Sequence, residues 1–190
     1  NIGLFSHRRL LINYAYKINI GKGWLNMGVQ GGVMNEGFEY DELEITDKND
    51  PAFPNSGADG SGADIGAGVY YYNNGYYLGL SATHLNSPRV YYSKEGDRAA
   101  YLDIKPAFYS IGGCNIRLNN PLLSLQPCFQ VATDGEYTRA DITLRGTYEY
   151  ELSRFFGGVT YSPGTSVTVL LGGMYKQVTI GYAYELFTSG

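Results

Sequence analysis

The chain has 190 residues, a formal net charge of −4 and only 17% charged residues, with 26 glycines and 19 tyrosines. That length suits one domain with its own core and is short for two large ones. Scattered basic residues on an acidic chain exclude a nucleic-acid surface, and the longest uncharged stretch, 155–175, is cut by Ser162-Pro163-Gly164-Thr165-Ser166, which excludes a membrane helix there.

Alternation of period two runs from end to end and predicts about ten strands. The first, 9–20, sets Leu10, Ile12, Tyr14, Tyr16, Ile18 and Ile20 against Asn13, Ala15, Lys17 and Asn19. Gly21-Lys22-Gly23 turns the chain into the second, 23–35, and Asn73-Asn74-Gly75 separates the third and fourth, 64–73 and 76–85. The fifth and sixth, 100–117 and 122–132, flank Asn119-Asn120-Pro121, and the seventh, 138–150, follows Asp134-Gly135. In that seventh strand Arg139, Asp141, Arg145 and Glu149 are all odd, while Ile142, Leu144, Tyr148 and Tyr150 are all even. A helix would scatter those charges; a strand collects them on one face. The last three strands span 154–162, 166–174 and 177–187. In the final one Val178, Ile180, Tyr182, Tyr184 and Leu186 alternate with Thr179, Gly181, Ala183 and Glu185.

Low charge at a mean hydropathy of −0.22 means that polar and apolar residues are finely interleaved. Short connections between successive strands require antiparallel neighbours. Those after strands two and four are long, about 36–63 and 86–99, so both long loops leave the same end. The expectation is an all-β, antiparallel up-and-down transmembrane β-barrel, a single domain over 1–190, with short turns on one side and long loops on the other. A water-soluble sandwich or lipocalin-like barrel with tyrosine-rich strands is the competing fold. With the long loops outside the cell, both chain ends also lie outside, whereas such barrels keep their termini in the periplasm. The chain is therefore expected to be truncated at both ends, or to sit the other way round. No signal peptide is visible ahead of His7-Arg8-Arg9, which agrees with a mature or truncated sequence.

On this plan the Ile, Leu, Val and Tyr rows face lipid. Lys17, Gln126, Gln130 and the row Arg139, Asp141, Arg145 and Glu149 face the lumen, where opposite charges can pair. Tyrosines beside turns (Tyr70-Tyr71-Tyr72, Tyr76-Tyr77, Tyr91-Tyr92) and Trp24 fit the interfacial girdle. Cys114 and Cys128 are equidistant from Pro121, so they form a cross-strand disulfide if the hairpin loop is odd, and otherwise remain free thiols. Glycines between 57 and 68 complete no phosphate-binding motif and are read as loop flexibility followed by close strand packing.

For catalysis little is offered. His7 and His84 have no metal-ligand spacing, and Ser81 and His84 have opposite parity on one strand, against a Ser-His pair. His84 reads as an interfacial residue at a strand end. No enzyme activity, cofactor or metal is expected. The functional surface is sought in the acidic loop, with Asp41, Glu42, Glu44, Asp47 and Asp50 and, further on, Asp59 and Asp64. Together with Arg89, Tyr91, Tyr92 and Lys94 of the second long loop it would dock a partner; a solvated loop repelling lipopolysaccharide phosphates is the plainer reading.

Several stretches, in order, carry a resemblance. They are Asn13-Tyr14-Ala15-Tyr16-Lys17-Ile18-Asn19-Ile20, Leu25-Asn26-Met27-Gly28-Val29-Gln30-Gly31-Gly32, and Asn49-Asp50-Pro51-Ala52-Phe53. Then come Gly66-Ala67-Gly68-Val69-Tyr70-Tyr71-Tyr72, Tyr76-Tyr77-Leu78-Gly79-Leu80-Ser81-Ala82-Thr83-His84-Leu85 and Ile180-Gly181-Tyr182-Ala183-Tyr184-Glu185. In this order the chain resembles the PorP/SprF family of the Bacteroidota type IX secretion apparatus over nearly its whole length. Glu185 stands where that family leads one to expect Asp, and family members are longer at both ends. The resemblance implies an outer-membrane component of secretion and gliding. Its implied partners are outer-membrane lipid, periplasmic ring and motor subunits, and surface cargo carrying a C-terminal sorting domain. A passive, porin-like diffusion channel is the alternative function, and an enzymatic barrel ranks third.

Overall fold

The computed structural model describes residues 5–38, 58–92 and 100–188. The strands are β1 (Phe5–Ile20), β2 (Gly23–Phe38), β3 (Ala58–Tyr72), β4 (Tyr76–Thr83), β5 (Arg89–Tyr92), β6 (Ala100–Asp103) and β7 (Ala107–Cys114). They continue as β8 (Ile116–Arg117), β9 (Leu123–Thr133), β10 (Thr138–Tyr150), β11 (Ser153–Ser162), β12 (Ser166–Tyr175) and β13 (Val178–Phe187). The main sheet runs β1-β2-β3-β4-β7-β9-β10-β11-β12-β13, with β8 continuing β7 along β9, and β5 and β6 form a separate pair. The fold is all-β, antiparallel and up-and-down.

Packing divides the chain into two compact units, the first holding 1–15, 28–68 and 82–107, the second 16–27, 69–81 and 108–190. In the second unit the alternation sets the faces. Leu144 pairs with Val159, Val159 with Val169 and Val169 with Tyr184, giving an apolar row across four strands. The opposite face carries Thr143 opposite Thr160 and Thr160 opposite Thr168. The apolar row is the exposed one: Ile180 is 74% accessible, and Ile142, Phe155 and Leu171 are exposed likewise. A soluble sandwich would bury these side chains against a second sheet. Here Met34 is the only large apolar side chain fully buried among the described residues, so apolar burial is left to the surroundings of the sheet. That is the pattern of strands that meet lipid on one side.

Several expectations change. The segment 100–117 is three pieces rather than one strand. Pro106, which has no N–H to donate to a ladder, lies between β6 and β7, and Asn115 separates β7 from β8 while its backbone N–H bonds Gly75 O at 2.8 Å. The region 86–99 holds strand β5, which pairs Arg89 with Asp103 and Tyr92 with Ala100 in an added hairpin. The first three strands run further than predicted. β1 and β2 have 16 residues each and β3 has 15, against the ~9–11 needed to cross a bilayer. The glycine-rich segment belongs largely to β3 and not to a loop. A Cβ added at Gly66 would come within 2.7 Å of the Gln30 side chain, so β2 and β3 rely on close approach there.

The cysteines are both free. The hairpin closes on Leu118 N–H to Leu123 O at 3.2 Å, which leaves an even loop. Gly113, not Cys114, therefore stands opposite Cys128. Neighbours along a strand point to opposite faces, so the two sulfurs are kept apart.

Candidate functional site

The polar face of the second unit is built by β10 and its neighbours, and the predicted charge row lies along it. Arg139 Nε donates to Asp141 Oδ1 at 3.0 Å, and its terminal nitrogen reaches Glu185 Oε1 on β13 at 3.4 Å. Between them sit two serines. Ser162 donates to Asp141 and Ser166 to Glu185, each at 2.5 Å, and both serines are at most 1% exposed. Adjacent strands are ~4.8 Å apart, so β10 and β13 are three steps from each other. Their long side chains meet over Ser162 and Ser166, which are small enough to leave room between them.

Farther along the row the partners lie on neighbouring strands. Arg145 and Glu149 do not meet each other. Arg145 donates twice to Gln126 Oε1, through Nε at 2.8 Å and through a terminal nitrogen. Glu149 pairs with Arg154 of β11 at 2.6 Å. The pairing follows cross-strand register, which sets Arg145 opposite Gln126 and Glu149 opposite Arg154. Near the first turn, Lys17 Nζ bonds the Tyr72 hydroxyl at 2.7 Å and lies 4.3 Å from the Trp24 ring centroid. Trp24 therefore belongs to the Lys17 face and not to the lipid-side girdle, because its even position in β2 is the polar one. Tyr76 is 52% exposed, on the same face as Leu78 and Leu80.

The first unit holds a feature that alternation did not reveal. Asp64, grouped by sequence with the acidic loop, is an inward residue of β3 at 1% exposure. Its Oδ1 lies 2.9 Å from His84 Nδ1, and no group bonds its buried Oδ2. His84 is itself buried, so it is not an interfacial residue. It lies one residue past β4 with φ 56°, a left-handed conformation, and its carbonyl accepts from Ser87 N–H at 2.9 Å. Asn86 locks the neighbouring backbone, accepting from Ile65 N–H at 3.1 Å and donating to Ala63 O at 2.8 Å. At the opposite edge His7 Nδ1 pairs with Glu36, and Arg9 donates to His7 Nε2 at 2.7 Å.

Of the predicted docking residues, Arg89 forms an ion pair with Asp103 at 2.6 Å beside β5 and β6, and Tyr91 and Tyr92 are in β5. Asp41, Glu42, Glu44, Asp47 and Asp50 lie outside the described residues, as do Asp59's side chain and Lys94. The structure therefore brings Arg89 to Asp103 and leaves the loop carboxylates undescribed. Among the described residues no group of three or more His, Cys, Asp or Glu side chains could hold a metal ion.

Comparison with known proteins gives one match. A family model described as type IX secretion system membrane protein PorP/SprF aligns with residues 1–190. No curated protein and no solved structure matches the chain.

Proposed function

The chain belongs to the PorP/SprF family of type IX secretion system membrane proteins, and from that premise we propose that it helps deliver or attach surface cargo carrying C-terminal sorting domains. The match over 1–190 is the observation that carries this reading. The two-faced strands support it, because an apolar outer face with a polar inner face is what a barrel in the outer membrane requires. In this reading the chain forms one barrel domain surrounded by outer-membrane lipid. The periplasmic ring and motor subunits act at one end, and cargo is held at the other. The family is one of secretion components rather than enzymes, and we assign the chain no catalytic step.

The loop residues Asp41, Glu42, Glu44, Asp47 and Asp50, with Arg89, Tyr91 and Tyr92, are proposed as the docking surface. The row Arg139, Asp141, Arg145 and Glu149 is proposed to line the lumen. Deleting 41–60 should leave membrane insertion intact and abolish cargo retention at the surface; normal display by that deletion would reject the assignment. A passive channel is the second reading, favoured by the continuous polar face on which Arg139 of β10 reaches Glu185 of β13. Planar-bilayer conductance separates the two: stable open channels support diffusion, and silence supports the assembly component.

A further inference from the structure

We propose that the pocket beside β4, β7, β9 and β10 in the second unit binds a peptide carboxylate, with Arg145 as the recognising cation. The pocket measures about 370 Å³, and Asn73, Tyr77, Asn115, Gln126, Cys128 and Arg145 are among its lining residues. It goes beyond the secretion reading and does not depend on it.

Along this face Arg139 meets Asp141 and Glu185, and Arg154 meets Glu149. Arg145 meets only the neutral Gln126 amide, and among the described residues no carboxylate pairs with it. A guanidinium carries five N–H donors in a fixed fork. Two of them hold Gln126, which fixes the plane of the group and leaves the remaining donors for a ligand. That is the geometry that takes a carboxylate through two parallel hydrogen bonds.

The surroundings narrow the ligand further. Gln126 Nε2 donates to Asn115 Oδ1 at 3.5 Å, which leaves the Asn115 amide N–H groups to face the pocket. Asn73 Oδ1 is engaged by the Gly75 and Tyr76 backbone N–H groups at 2.8 and 2.9 Å, which orients its own NH₂ away from that turn. Side-chain amides both donate and accept, and so match peptide backbone. One uncompensated cation balances one negative charge, which favours a carboxylate over a phosphate dianion. Gly113 lets the lining residues Tyr77 and Cys128 settle where they do: a Cβ there would lie 2.7 Å from the Tyr77 hydroxyl and 2.8 Å from Cys128 Cβ.

The test titrates the full chain, purified in detergent, with three probes followed by calorimetry. These are acetyl-Gly-Glu-Gly-amide, acetyl-Gly-Gly-Gly with a free C-terminus, and inorganic phosphate. Saturable binding of either peptide, weakened at least tenfold by Arg145→Gln and unchanged by Arg154→Gln, is the expected result. The preferred peptide then tells a side-chain carboxylate from a terminal one. Arg145→Lys keeps the charge without the fork and should give intermediate affinity; it and Asn115→Ala stand in if Arg145→Gln does not fold. Absence of saturable peptide binding, equal affinity in the Arg145 variants, or phosphate binding as tightly as the peptides would each overturn the proposal.

Discussion

Replacing His84 with alanine should destabilise the protein by about 3 kcal/mol, and the structure says why. Asp64 is 1% exposed, and its one bonded oxygen lies 2.9 Å from His84 Nδ1. A hydrogen bond to a charged group contributes ~1.5–3 kcal/mol, and the loss is at the upper end when the other partner stays buried. Alanine would also occupy φ 56°, a conformation that costs an L-residue about 1 kcal/mol or more and that histidine and asparagine tolerate better. His84→Asn keeps both a side-chain N–H and that tolerance, so it should recover at least half of the loss. Asp64→Asn removes the buried charge itself and should be milder than His84→Ala. Urea unfolding in detergent micelles, followed by far-ultraviolet circular dichroism and by heat-modifiable gel mobility, gives the order. His84→Ala within 0.5 kcal/mol of the parent chain, or less stable in the Asn form than in the Ala form, would refute the reasoning.

Three further outcomes follow from geometry. Gly158→Ala would bring a Cβ within 2.6 Å of the Leu144 carbonyl oxygen, so β10 and β11 must separate; a loss of ~1–3 kcal/mol is expected in the same unfolding assay. Lys176 holds φ 54° in the two-residue turn between β12 and β13, and Lys176→Gly should gain up to ~1 kcal/mol by removing that strain. Because Cys128 stands opposite Gly113, electrophoresis with and without reductant should give one mobility, and a shift on reduction would contradict the register.

Much of the fold was legible because period two is a strong signal wherever one face is polar. Strand β10 is the clearest case, since Arg139, Asp141, Arg145 and Glu149 share parity and the structure puts them on one face. Which of them pair was not legible from parity alone. Arg145 finds Gln126 through the hairpin that begins at Thr133 and Thr138, and Glu149 finds Arg154 through the turn after Tyr150. The cysteine geometry hinged on one residue of turn length: centring the hairpin on Pro121 gives an odd loop, and the backbone closes an even one. The break at Pro106 did have a signal, since proline in a predicted inner strand argues against continuity. The Asp64–His84 pair had none. It joins residues 20 apart, and His84 lies past the end of β4 with a left-handed backbone, where alternation no longer says which way a side chain points.

The claim on which the rest depends is that the Ile, Leu, Val and Tyr rows meet lipid chains while the opposite rows do not. Trp24 is the only tryptophan, so in a Trp24→Phe background a single reporter can be placed at Leu144 or at its neighbour Thr143, and the chain reconstituted in vesicles of lipids brominated along the acyl chain. Fluorescence of Leu144→Trp should be strongly quenched by bromine and that of Thr143→Trp hardly at all. Equal quenching at the two positions, or none at Leu144→Trp, would contradict the account.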